Sequence, residues 1–71
     1  MIRMANSILT NREKKIFEYL ILDYTTREIA NTLKISEKTV RNHISNVIQK
    51  LGTNSRSGAV VELLKLNELS I

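Results

Sequence analysis

Apolar positions recur at helical spacing in four places along this chain, with capping residues and breakers between them. Ile16, Phe17, Leu20 and Ile21 mark the first. Thr10 followed by Glu13 is the S/T-x-x-E box that opens a helix, and Asp23 breaks the pattern near Leu22 to Tyr24. A pairing with a basic residue elsewhere in the fold is open to Glu13, but capping alone is the simpler account. Thr25 and Glu28 repeat the box before Ile29, Ala30 and Leu33, which predicts a two-turn helix ending around Leu33–Lys34. In the turn Lys34-Ile35-Ser36, Ile35 should plug the angle between two helices and Ser36 is a good N-cap, although the usual turn glycine is absent. Val40, Ile44, Val47, Ile48 and Leu51 then form the buried face of a third helix, Glu37 to Leu51, which Gly52 ends. A polar linker leads to Asn54 or Ser55 as cap of a fourth helix, Arg56 to Leu66. The prediction is an all-α fold of four helices with a helix-turn-helix at its centre.

The third helix carries a second stripe. At about 100° per residue, Lys38, Arg41, Asn42, Ser45, Asn46 and Gln49 gather opposite its apolar face. That side carries no acid and no large apolar residue, and consists of side chains that hydrogen-bond base edges and phosphates. It reads as a recognition helix for the DNA major groove. Asn42 and Ser45 lie near the centre of the stripe and are assigned to bases. Arg41 lies at its edge, where a guanine contact competes with a phosphate contact or a solvated charge. Gln49 is assigned to the phosphates, and Lys50 suits the helix macrodipole and can also reach phosphate. The preceding helix offers its N-terminus to a phosphate through Thr25, Thr26 and Arg27, with capping as the competing role of the threonines. His43, on the other flank, is packed or touches phosphate.

A length of 71 residues and the absence of Cys leave regular helix packing or self-association to stabilise a small core. Scattered carboxylates and one His make no metal cluster, no phosphate-cradling Gly loop is present, and no catalytic constellation is visible, so neither an enzyme nor a cofactor is expected. The net charge of +4 and pI near 9.8 suit a polyanion. No apolar run approaches the ~20 residues of a membrane span, and the N-terminus has no signal-peptide core, so a cytoplasmic protein is expected. Residues 1–8 read as a flexible arm, and 9–71 as the folded domain.

Ala59, Val60, Val61, Leu63, Leu64 and Leu66 cover more than half the circumference of the fourth helix, wider than one core contact needs. Ala59, Val60 and Leu63 can face the core. Val61 and Leu64, with Leu69 and Ile71 in the tail, need another cover, and a second copy of the chain is the simplest. The alternative is that the tail folds back.

Leu9-Thr10-Asn11-Arg12-Glu13, Glu28-Ile29-Ala30, Ile35 through Ile44, Lys50-Leu51-Gly52 and Arg56-Ser57 together resemble the LuxR-type (GerE-type) DNA-binding domain, from Ile8 to Leu69. The resemblance implies four helices, the third in the major groove and the fourth at a dimer contact. It implies Arg41, Asn42 and Ser45 as base readers, with Asn46 next. Lys38, Thr39, Thr26, Lys50 and Arg56 match places that hold phosphate or brace the fold. Gly58 departs from the pattern, where a longer polar residue is usual; it softens the helix start or lets two copies pack closely. Within the family the chain is most similar to a stand-alone regulator of spore-forming bacteria, which implies late sporulation or spore-coat genes as targets. The expected partners are double-stranded DNA, a second copy and RNA polymerase, with no membrane and no small-molecule ligand. Two other readings stand beside this one: a sigma-region-like promoter-binding part of a larger assembly, and a protein-interaction module.

Overall fold

Each helix begins where a hydroxyl side chain takes up a backbone N–H that the helix itself cannot satisfy. The structure, a computed structural model, describes residues 9–66. The arm at 1–8 and the tail that carries Leu69 and Ile71 lie outside the described residues. Among the described residues there are four helices and no strand: α1 (Asn11–Ile21), α2 (Thr26–Leu33), α3 (Glu37–Leu51) and α4 (Arg56–Lys65). Both capping boxes close in both directions, Thr10 with Glu13 at 3.0 and 3.1 Å and Thr25 with Glu28 at 2.8 and 3.1 Å. Ser36 accepts from the Thr39 N–H, and Ser55, rather than Asn54, accepts from the Gly58 N–H.

The ends of the first three helices share one solution. Asp23, Lys34 and Gly52 adopt left-handed φ values of 71°, 60° and 68°. The next N–H then reaches back five residues in each case: Tyr24 to Tyr19 O at 3.0 Å, Ile35 to Ala30 O at 3.0 Å and Thr53 to Ile48 O at 3.2 Å. These are Schellman motifs, which satisfy otherwise orphaned carbonyls. In the first, the Tyr24 ring packs on Tyr19 with centroids 4.7 Å apart. In the second, Lys34 stands where the absent turn glycine would sit, and Ile35 packs against the core as expected.

The core consists of Leu9, Ile16, Phe17, Ile29, Ala30, Val40, Ile44, Val47, Ala59 and Leu63. α3 lies at its centre and packs against each of the other three helices. Ile48 and Leu51, expected on its buried stripe, are half-buried at the margin. Gly58 is half-buried, and a Cβ there would stand 3.4 Å from Ser55 Oγ and from Thr53 Cβ. It therefore faces the chain's own linker, a packing that speaks against its serving the approach of a second copy.

Glu13 corrects the simpler account of its role. Its side chain is only 5% exposed, and Oε1 accepts from the Thr10 N–H at 3.0 Å and from Lys50 Nζ, 37 residues away, at 2.6 Å. It caps α1 and ties that helix to the last turn of α3. Burial pushes its pKa up, but the Lys50 hydrogen bond, the Thr10 N–H and the charges of Lys50 and His43 outweigh burial and hold the carboxyl below its usual value. Because the folded state titrates below the unfolded one, this contribution is full above the ordinary carboxylate range and is lost as pH falls through the lowered value.

Two outcomes are expected. Glu13→Gln should lower stability at neutral pH by about 1–3 kcal/mol and make the loss of stability in acid shallower; an acid limb unchanged in a pH series of melts would refute this role. Lys34→Gly should raise stability by about 0.5–1 kcal/mol, since glycine adopts the left-handed conformation without strain but loses more chain entropy. A lower melting temperature for that variant would show that the Lys34 side chain contributes more than its backbone conformation costs.

Candidate nucleic-acid interface

α3 has one face in the core and one in solvent. Val40, Ile44 and Val47 are buried, while Lys38, Arg41, Asn42, Ser45, Asn46 and Gln49 are all exposed, as the two-stripe pattern requires. Thr39 and His43 are half-buried on its flanks. The Thr39 hydroxyl lies 2.9 Å from Ser36 Oγ, inside the cap of the helix.

The start of α2 reaches the start of α3 through a residue to which no site role was assigned. Glu37 Oε2 accepts from the Thr26 hydroxyl at 3.0 Å and from Arg41 Nη1 at 3.5 Å. The polar side of α3 therefore does carry an acid, at the edge where Arg41 sits. Half of this arrangement had a signal in the sequence: Glu and Arg four residues apart on a helix meet on one face. The other half had none, because Thr26 lies 11 residues from Glu37 and only the turn brings them together.

The remaining phosphate candidates divide by what already holds them. Arg27 and Lys38 are exposed cations at the starts of α2 and α3. Thr25 is exposed, but its hydroxyl oxygen accepts the Glu28 N–H, so capping is part of its work. Thr26 donates to Glu37, and Lys50 donates to Glu13; both brace the fold. Arg56 opens α4 and lines a groove with Leu20, Ile21, Asp23, Tyr24 and Val60, to which α3 contributes no residue.

The apolar excess of α4 is partly redistributed. Ala59 and Leu63 are fully buried and Val60 is half-buried, as expected. Leu64 is half-buried against the chain's own core rather than left open, because α4 turns that flank toward the other helices. Val61, at 52% exposure, is the large apolar residue that this helix leaves exposed, Leu66 just past its end is exposed at 45%, and Leu22 and Tyr24 are exposed at the end of α1. Among the described residues no group of His, Cys, Asp and Glu is placed to hold a metal ion, and no helix is long and apolar enough to cross a membrane.

Comparison with known proteins places these features in a lineage. The family described as bacterial regulatory proteins, luxR family, matches residues 7–63. The spore germination protein GerE of Bacillus subtilis (strain 168) is 62% identical over 67 residues, which is 94% of this chain and 90% of that protein. The transcriptional regulatory protein DegU of Brevibacillus brevis is 48% identical over 58 residues, 82% of this chain but only 25% of its own length. Among solved structures, that of the transcription factor GerE superposes with a TM-score of 0.90 at 63% identity, covering 92% of this chain and 97% of the other. The response regulator ChrA of a heme-sensing two-component system superposes with a TM-score of 0.81 at 30% identity, covering 97% of this chain and 33% of its own.

Proposed function

The chain belongs to the luxR family of bacterial regulatory proteins, a family of DNA-binding transcription regulators rather than enzymes, and from that premise we propose that it acts as a homodimer on inverted-repeat promoter sites, with one α3 in the major groove of each half-site. The observation that carries the reading is the two-faced α3, buried along Val40, Ile44 and Val47 and exposed along Lys38, Arg41, Asn42, Ser45, Asn46 and Gln49. Arg41, with a guanidinium that can bond guanine O6 and N7, and Asn42, with an amide that can bond adenine N6 and N7, read bases. Ser45 and Asn46 continue the reading one turn on. Lys38, Arg27 and Arg56 hold the backbone by charge, with Gln49, Thr25 and Thr39 as polar contacts. Thr26 and Lys50 come to the phosphates as bracing residues.

One copy of α3 spans only a few base pairs, so useful selectivity needs two half-sites about one helical turn apart or a multiple of it. Val61, with Leu69 beyond the described residues, supplies the apolar contact between copies, and Leu64, half-buried against the core, supports it. A regulator seated at a promoter meets RNA polymerase, and we place its work in the cytoplasm on nucleoid DNA. The 62% identity to a spore germination protein supports late sporulation or spore-coat genes as its targets.

Selection from a random duplex pool tests the reading. Asn42→Ala should relax the preference at one base pair per half-site, losing about 1–3 kcal/mol of discrimination there and leaving the fold intact; a profile unchanged at every position would refute the assignment. Val61→Asp should shift the protein from dimer to monomer in sedimentation, and should weaken binding to a two-half-site duplex far more than to random DNA. If that variant still dimerises, the interface lies elsewhere.

A further inference from the structure

An acid at the edge of a surface that meets a polyanion works against binding, because it repels the phosphates that its neighbours attract. Glu37 is such an acid. It is the first residue of α3, half-buried, with Oε2 3.0 Å from the Thr26 hydroxyl and 3.5 Å from Arg41 Nη1. A favourable interaction with the helix macrodipole would follow from any acid in that turn. It does not account for a carboxylate oxygen shared between a hydroxyl of another helix and the arginine one turn on.

The shared oxygen fixes a direction. Thr26 belongs to the first turn of α2, so the tertiary fold as well as the α3 backbone sets where Oε2 sits. An arginine on an exposed helix face is otherwise free over several torsions, and that freedom is lost on binding. A carboxylate anchored one turn earlier narrows the choice before DNA arrives. Because it engages Nη1, the Nε–Nη2 edge stays available, and that edge carries two N–H groups in a fixed fork. The acceptors that match such a fork in the major groove are guanine O6 and N7. In the free protein the ion pair is solvent-exposed, with side chains 56% and 40% accessible, so it contributes little to the fold. When a duplex displaces the water around it, screening falls and the pair strengthens.

We propose that Glu37, anchored by Thr26, is a positioning residue that aims Arg41 at a guanine, so that base choice depends on a side chain that touches no base. This rests on the reading of α3 as the base-reading helix with Arg41 among its readers. Glu37→Gln keeps an oxygen that accepts from Thr26 and removes the charge that holds Arg41. The guanine preference at one base pair per half-site falls by about tenfold. Affinity for random duplex rises, because a negative charge has left the phosphate-facing surface. These opposite changes separate positioning from loosening of the fold, which weakens both.

The test is selection from a pool of random-sequence duplexes at one salt concentration. The wild type is compared with Arg41→Ala, Glu37→Gln, Thr26→Val, Thr26→Ser and Asn42→Ala, each checked by thermal melting. The expected result is that Glu37→Gln and Thr26→Val lose preference at the same base pair as Arg41→Ala, while Thr26→Ser retains it. If Arg41→Ala flattens a position that Glu37→Gln leaves sharp, the positioning role is overturned and the base-reading role of Arg41 stands. If Arg41→Ala alters no position but Asn42→Ala does, Arg41 is not a reader and the proposal fails with it. If neither changes the profile, the reading of α3 itself has failed. Should Glu37→Gln not fold, Thr26→Val decides by the same criterion.

Discussion

Val40, Ile44 and Val47 present a single stripe of α3 to three other helices, and everything else in the domain follows from covering that stripe and no more. A helix buried all round could not enter a groove, and one solvated all round would not hold its place. Full burial of a Val or Ile side chain contributes about 1.5–3 kcal/mol, so three such residues outweigh the electrostatic contacts of the domain. The apolar stripe holds α3 in the fold, and the polar contacts set its pose.

Those contacts sit at its two ends. At the C-terminal end, Lys50 reaches the buried carboxylate of Glu13 and joins α3 to the start of α1. At the N-terminal end, Glu37 joins it to the start of α2 through Thr26. The two acids differ in burial, and that difference assigns their roles. Glu13, almost out of reach of water, is held by strong hydrogen bonds and bears on stability. Glu37, accessible and next to Arg41, is placed where, on the reading proposed above, it orients a base-reading side chain. Rotation of α3 about its axis is limited by the core, and tilt is limited by a tether at each end.

Apolar side chains remain exposed at the end of α1 and on α4, and on the proposed reading those of α4 meet a second copy. α4 closes the core with Ala59 and Leu63 and leaves Val61 exposed in a groove shared with the end of α1, and Leu66 exposed just past its last turn. α1 ends in the Tyr19–Tyr24 ring pair with Leu22 exposed beside it. The solved structure of GerE and one third of a response regulator share this architecture, at TM-scores of 0.90 and 0.81. The same four helices thus serve in a protein of about this length and within proteins several times longer.

Local chemistry was enough to locate the elements. Hydroxyl caps three residues before a Glu, a glycine after an apolar run and a helical period mark the ends of α1, α2 and α3 within a residue or two, because caps and periodicity act over one or two turns of chain. The two stripes of α3 were legible for the same reason, since both lie on one helix. What the sequence could not determine were contacts between residues distant in the chain. The ion pair of Lys50 with Glu13, 2.6 Å apart, and the hydrogen bond of Thr26 to Glu37 join residues 37 and 11 positions apart, and no local pattern announces either. Leu64 looked uncovered because a helical wheel gives directions on one helix and not what stands in them. Lys34 took a left-handed conformation that its residue type disfavours, whereas Asp23 belongs to a residue type that tolerates it. Periodicity and capping are properties of neighbours along the chain, whereas pairing and burial arise only once the helices are packed.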